Sequence, residues 1–180
     1  MITYLPDAIA LSLGPLAIHW YGIFLVSGVI AALLVIRQRW PGTGRTKDQL
    51  FDLVFVLLLG GLLGARLYYV IYAWSYYVAH LDEIIQIWRG GLAIHGAWIG
   101  GLVAGWLYSR RHHWQFWPLV DRLVIGLPLG QAIGRWGNYF NQELFGRPTT
   151  APWGIPIDLE NRPVGLEQFN YFHPTFLYES

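Results

Sequence analysis

Within a strongly apolar chain, Arg66, His95 and Arg135 lie in stretches that read as bilayer spans, with His19, Tyr21 and Asn138 in the same stretches. An ionisable group inside a span costs about 2.5–3.5 kcal/mol on insertion scales, so each one retained there calls for a reason. Guanidinium, imidazole, phenol and amide groups so placed bind a substrate, relay a proton or line an ion path. Their depths agree. His19 and Tyr21 fall near the outer end of the first stretch, and Arg135 with Asn138 closes the outer end of the fourth. Arg66 stands about two turns inside the outer end of the second stretch, and His95 about one turn into the third. Successive spans alternate in direction, so this agreement does not follow from sequence position. It predicts a polar cavity open to the outer leaflet. If the fourth helix runs on to Gln142, then Gln131, Arg135, Asn138 and Gln142 recur at spacings of four, three and four and share one face, with Glu143 to one side. Plainer readings stand beside this one. Arg66 and Arg135 would snorkel to headgroups at the outer surface. His95 would be a hydrogen-bonded packing residue, and Glu143 would pair with an arginine such as Arg147.

The elements that must position these groups are four apolar stretches of about the 20 residues a bilayer crossing needs. They run over residues 15–36, 51–73, 91–108 and 117–139, followed by an outer loop segment, 140–178. The fold class expected is therefore all-α: a polytopic helical membrane protein with four transmembrane helices and an extracytoplasmic loop segment, forming one membrane-embedded domain over residues 1–180. Thr46-Lys47-Asp48-Gln49 is a capping-box pattern and sets the start of the second helix. Arg37, Arg39, Arg45 and Lys47 occupy the first loop and Arg110 with Arg111 the third, which makes those loops cytoplasmic and the N-terminus external. The second loop, with Asp82 and Glu83 against Arg89, then faces outward. Tryptophans at 20, 40, 74, 88, 114 and 117 fall near the expected interfaces. Glycines recur four apart in Gly60/Gly64, Gly96/Gly100, Gly101/Gly105 and Gly126/Gly130/Gly134, a spacing that lets helix backbones approach closely in one bundle. Residues 147–174, rich in Pro and Gly, read as a surface loop with room for a short helix or hairpin.

Composition narrows the function. With 54% hydrophobic and 13% charged residues, lipid rather than water is the expected solvent. A net charge of +1 and the lack of any long basic block exclude a nucleic-acid partner. There is no cysteine, so disulfides and thiolate metal sites are excluded, and any sulfur chemistry must come with a substrate. No metal or cofactor is expected. The N-terminus lacks the basic start and small-residue cleavage site of a secretory signal, so its first apolar stretch reads as a retained anchor. A transporter or channel fragment with an outward-facing polar cavity is one alternative, although the cytoplasmic halves of the spans are nearly free of charge. Neither a Gly-x-Ser-x-Gly nor a His-Glu-x-x-His pattern occurs, which ranks an intramembrane hydrolase lower.

A longer pattern favours a different reading. Gly134-Arg135-Trp136-Gly137-Asn138-Tyr139-Phe140-Asn141-Gln142-Glu143-Leu144-Phe145-Gly146 resembles the signature of bacterial prolipoprotein diacylglyceryl transferases. Four further motifs follow that family's order: Trp20-Tyr21-Gly22, Gly64-Ala65-Arg66-Leu67-Tyr68-Tyr69-Val70, Gly90-Gly91-Leu92-Ala93-Ile94-His95-Gly96 and His173-Pro174-Thr175-Phe176-Leu177-Tyr178-Glu179. Tyr139 departs from the usual Phe, and Phe172 and Phe176 stand where many members carry Arg and Gln. Members continue through further transmembrane helices, one bearing another arginine, so the resemblance implies a chain truncated at its C-terminus. It also implies a transferase of the bacterial inner membrane acting in lipoprotein biosynthesis. Such an enzyme moves the diacylglyceryl group of phosphatidylglycerol to the lipobox cysteine of a preprolipoprotein and releases glycerol phosphate. The partners implied are phosphatidylglycerol, the lipobox peptide and membrane lipid, met on the periplasmic side. Under that reading Arg135 stabilises the departing phosphate, with Arg66, Asn138 and Asn141 binding phosphatidylglycerol. His95 is general base or orients the thiol, and Tyr21 and Glu143 orient partners.

Overall fold

The computed structural model describes residues 4–14 and 16–180, which form two compact units. One is built from the chain up to Ile36 together with Leu123–Ser180, the other from Arg37–Arg122. The protein is mostly helical, but not all-α as the composition led us to expect. Two short antiparallel strands, β1 (Ile9–Leu13) and β2 (Leu16–His19), form a hairpin ahead of the first helix, with Leu11 opposite Ile18 and a bulge between Ile9 and Leu11. Helix α1 (Trp20–Arg39) therefore begins later than the stretch read from residue 15, and His19 ends a strand rather than sitting in a span. Residue 15 itself lies outside the described residues. Leu11 and Leu13 alternate with Ser12, a period-2 pattern that suits a strand and cannot hold one face of a helix.

Helix α2 (Lys47–Tyr72) starts as expected. Thr46 caps it, its hydroxyl accepting from the Gln49 amide at 3.2 Å while the Gln49 side chain accepts from the Thr46 amide at 3.1 Å. At 1.5 Å per residue this helix is about 39 Å long, more than the apolar thickness of a bilayer. The stretch Trp20–Gly42 and α2 are both long and apolar enough to cross a membrane. Large apolar side chains on them, such as Val26, Phe55, Leu63 and Leu67, are 58–67% exposed. A core helix in water would bury these groups, whereas lipid-facing positions leave them open.

After α2 a short helix α3 (Trp74–Tyr77) and two 3₁₀ turns lead to α4 (Ile94–Arg111). The third helix thus begins after residue 91. Gly90 and Gly91 have φ of +86° and +74°, a backbone that cannot be helical. His95 is the second residue of α4, not one turn inside it. The α2–α4 contact is made through the expected glycines. A Cβ on Gly64 would stand 2.3 Å from the Gly96 carbonyl oxygen, and one on Gly100 would stand 2.2 Å from that of Gly60. At such approach only glycine fits, and the two backbones touch.

The stretch read as a continuous fourth span, 117–139, is broken into α5 (Phe116–Val124) and α6 (Leu127–Phe140). Pro128 explains the break: its ring would clash with the carbonyl four residues back, on Val124, where α5 ends. As the second residue of α6 it needs no amide hydrogen. Within the first unit α6 meets α1 through small residues, since a Cβ on Gly28 would lie 2.7 Å from the Gly130 carbonyl oxygen. Trp20 and Phe24 stack on Phe140, with ring centroids 5.0 and 5.5 Å away.

The segment after α6 is more ordered than a surface loop. Ile155, Ile157, Phe172 and Phe176 make a small core against which Tyr139, Phe145 and Leu166 pack. The paired strands β3 (Ile155–Pro156) and β4 (Tyr171–Phe172) and the short helix α7 (Thr175–Tyr178) frame it. Phe172 and Phe176, two of the three departures from the family pattern, are 0% and 7% exposed and so belong to this core. Trp40, expected at a headgroup interface, is instead buried at 1% exposure, its indole N–H donating to the Thr46 carbonyl at 2.8 Å. Trp74, Trp88 and Trp117 remain more than half exposed, as an interfacial ring requires.

Candidate functional site

The candidate residues divide between the two units. In the Arg37–Arg122 unit, Arg66 stands on α2 and is only 8% exposed. Its guanidinium is surrounded by backbone carbonyls: Nε donates to Ile84 at 2.8 Å, Nη1 to Gly90 at 2.8 Å and Gly91 at 3.0 Å, and Nη2 to Glu83 at 2.6 Å. Four of an arginine's five N–H donors are thereby engaged. The Tyr77 ring faces the guanidinium 5.3 Å away. Around this centre the Tyr76 hydroxyl donates to the Glu83 carboxylate at 2.8 Å, and Arg89 pairs with the other Glu83 oxygen at 2.8 Å. The hydrogen bond to Glu83 pushes the Tyr76 phenol above its ordinary pKa. Snorkelling, the bland alternative for Arg66, is not what the side chain does. It turns inward to its own chain.

His95 follows closely. Its ring lies 5.9 Å from that of Tyr68 at 29°, on the exposed side of α4, and among the described residues no hydrogen bond holds it. It is therefore not the hydrogen-bonded packing residue of the plainer reading.

In the other unit, Arg135 on α6 points to the end of α7, where its Nη2 meets Glu179 Oε2 at 2.6 Å. The pair is open to solvent, with side-chain exposures of 36% and 50%. Three residues on, Asn138 is buried and its amide Nδ2 donates to Glu143 Oε1 at 2.8 Å, while Asn141 Nδ2 reaches the same oxygen at 3.3 Å. Glu143 thus accepts from two amides, in place of the ion pair with Arg147 considered from the sequence. The turn that presents it is unusual. Gln142 and Leu144 on either side have φ of +51° and +53°, conformations that L residues adopt only where the surroundings enforce them.

Helix α6 therefore ends at Phe140, and Gln142 does not extend the face of Gln131, Arg135 and Asn138 as the spacing had suggested. Its buried side chain ties the N-terminal segment to the outer segment, donating to the Pro6 carbonyl and to Asp158 Oδ2 at 3.2 and 2.7 Å and accepting from the Asp158 amide at 2.7 Å. Tyr21, at the start of α1, rests its ring on Gly137, where a Cβ would come within 2.9 Å. Sequence reasoning had also left out a chain beside Glu179, in which the Tyr178 hydroxyl accepts from Trp153 Nε1 at 2.8 Å and lies 3.0 Å from His173 Nδ1. The final motif contains His173, Tyr178 and Glu179 but not Trp153. Nothing in residue type or spacing could have named Glu83, Ile84, Gly90 and Gly91 as the acceptors of Arg66, because a backbone carbonyl carries no sequence signature.

Residues 8–180 match the sequence profile of the family described as prolipoprotein diacylglyceryl transferase. The chain belongs to that family. Among curated relatives, the phosphatidylglycerol–prolipoprotein diacylglyceryl transferases of Trichormus variabilis and Synechocystis sp. are 45% and 46% identical over 175 residues. That of Gloeobacter violaceus is 44% identical over 176. Each alignment takes in 97% of this chain, which spans 62–65% of the length of these relatives. Prolipoprotein diacylglyceryl transferases are membrane proteins, in keeping with the exposed apolar faces of α1 and α2.

Proposed function

We propose that this protein transfers the diacylglyceryl group of phosphatidylglycerol to the lipobox cysteine of a preprolipoprotein. The thiolate sulfur attacks the glyceryl carbon, a C–S bond forms as the C–O bond to phosphate breaks, and glycerol phosphate leaves with the electron pair. A thiol of pKa about 8.5 is already a few per cent ionised at pH 7, so full deprotonation costs only about 2 kcal/mol. Accommodating charge on the departing phosphate in a water-poor site is the larger demand.

The observation that carries this reading is Arg135, in the family signature, holding a single exchangeable anion. The Arg135 guanidinium donates through Nη2 to a carboxylate oxygen at 2.6 Å, and a guanidinium is able to give a phosphate two parallel hydrogen bonds. Release of Glu179 from so exposed a pair costs only about 0–1 kcal/mol. Arg135 takes the phosphate in this proposal, and the ring of His95 receives or orients the thiol proton. Glu143, fixed by Asn138 and Asn141, and Tyr21 orient the partners. Asn138 and Asn141 then act on phosphatidylglycerol through that carboxylate rather than as direct donors. A direct phosphate role for Arg66 is not retained, because its donors are engaged by carbonyls.

We infer the membrane arrangement along the same lines: one membrane-embedded domain of the bacterial inner membrane, crossed by α1, α2, α4 and the α5–α6 pair. Its basic loops would be cytoplasmic and its N-terminus and outer segment periplasmic. The test is mass spectrometry of a lipobox-cysteine peptide incubated with the protein in phosphatidylglycerol-containing membranes, beside an Arg135→Ala control. A diacylglyceryl mass gain on the cysteine that disappears in the control is expected. Equal gain in both would remove Arg135 from the mechanism, and no gain with the protein extended to the length of its relatives would remove the activity.

A further inference from the structure

We propose that Arg66 is a positioning residue: its guanidinium ties the middle and the last turn of the connection between α2 and α4 to α2 and so fixes the first turn of α4, where His95 stands. This rests on the role proposed above for His95.

The four carbonyls come from two separate places in the chain, Glu83 and Ile84 in the first 3₁₀ turn, and Gly90 and Gly91 in the turn that leads to α4. Converging carbonyl dipoles repel one another unless a cation lies between them, and a planar fork with donors on three nitrogens meets all four at once. An ammonium with three N–H groups on a flexible stem cannot. Gly91 completes the fit. Its φ of +74° turns its carbonyl towards the guanidinium, and a Cβ there would stand 2.6 Å from Arg66 Nη1 and 2.7 Å from Tyr69 Cε1.

From this knot the route to His95 is short. The Ala93 amide donates to the carbonyl of Ala65, the residue before Arg66, at 3.1 Å, and α4 begins at Ile94. His95 then stacks on Tyr68, on the same stretch of α2. The outer ring of Tyr76, Glu83 and Arg89 closes the connection from the solvent side. A phosphate ligand needs donors directed at substrate, whereas this side chain has one of five left.

The experiment measures kcat and KM for phosphatidylglycerol, together with hydrogen–deuterium exchange over residues 81–94, for the protein in phosphatidylglycerol-containing membranes. Arg66→Lys and Gly91→Ala are both expected to lose protection over 83–91. Turnover should fall about 100-fold, the effect of misplacing a catalytic group by an ångström, with KM for the lipid unchanged. Gly91→Ala keeps the guanidinium, so it separates geometry from charge, and wild-type turnover in that variant would overturn the proposal. Arg66→Lys with protection intact and a raised KM would make Arg66 a phosphate ligand and overturn it as well. His95→Gln, expected to lose turnover while residues 83–91 stay protected, tests the underlying reading separately. Full turnover there would remove His95 from the mechanism and leave Arg66 nothing to position.

Discussion

Arg66 and Arg135 are the two arginines among the candidate site residues, and they are held in opposite ways. Arg66 is buried and bonded to four carbonyls that cannot leave, because they belong to the backbone it organises. Hydrogen bonds from a charged donor contribute about 1.5–3 kcal/mol each, so displacing such a set by a ligand is not feasible. Arg135 is half open and faces one carboxylate on a mobile kind of side chain, worth about 0–1 kcal/mol. The same residue type is committed in one place and exchangeable in the other. Charge and depth in the sequence do not tell these states apart. The number and kind of acceptors does.

The exchangeable arginine should give the largest effect. Arg135→Lys is expected to lower kcat by about 100-fold or more, since an ammonium cannot make the two parallel bonds that a phosphate takes from a guanidinium. Glu179→Gln is the companion variant: it removes the competing anion and should lower KM for phosphatidylglycerol. Near-wild-type kcat in Arg135→Lys would erase the distinction between the two arginines as far as chemistry is concerned.

The same contrast between committed and open positions exists among the glycines. Gly96→Ala places a Cβ 2.2 Å from the Gly64 carbonyl oxygen and 2.4 Å from the Tyr68 Cβ, so the α2–α4 pair must separate. A loss of about 1–3 kcal/mol, the cost of overpacking a close contact, is expected in the thermal unfolding of the solubilised protein. Gly134→Ala has nothing within 4 Å of the new atom and should leave stability unchanged or raise it by up to about 1 kcal/mol. Equal behaviour of the two variants would mean that helix propensity, not the close approach, governs these positions.

Gln142 is committed in the manner of Arg66. Its amide joins Pro6, Asp158 and Asn161, and it holds a φ of +51° to do so. Gln142→Ala takes this partner from the buried Pro6 carbonyl and the half-buried Asp158 and should cost about 1–3 kcal/mol, read as earlier proteolysis of the outer segment. A variant as resistant as wild type would show that the apolar core of Ile155, Ile157, Phe172 and Phe176 holds the segment alone.

These commitments mark the limit of what was legible in the sequence. The capping box at Thr46, the glycine pairs of α2 and α4 and the family itself could be read directly, because each is a pattern of residue types at fixed spacing. The hairpin Ile9–His19 has its own signal in the alternation of Leu11 and Leu13 with Ser12 and in Gly14, but the apolar length of the stretch suits a span as well. Pro128 likewise announced the break between α5 and α6. Arg66 was different. Its site role was assigned from cost and depth, and its true partners are carbonyls, present at every position and so invisible to any pattern. Gln142 failed for a related reason, since the positive φ that removes it from the α6 face is imposed by Asp158 and Pro6, far away in the chain.

The smallest effect is expected at the most exposed of these charges. Glu167 accepts from the Gly165 amide at 2.9 Å, and this backbone hydrogen bond holds its carboxyl below the ordinary glutamate pKa. A group whose pKa is depressed on folding contributes stability that is present above its unfolded pKa and is lost as pH falls through the folded value. Glu167→Gln should therefore lower thermal stability slightly at pH 7 and leave it nearly as in wild type at an acid pH below the folded value. The side chain is solvated, so the difference should be a shift of Tm small beside that of Gly96→Ala. A Glu167→Gln protein with the same Tm deficit at both pH values would mean that the carboxylate's shape, and not its charge, closes the turn at Gly165, whose φ of +88° already favours the bend.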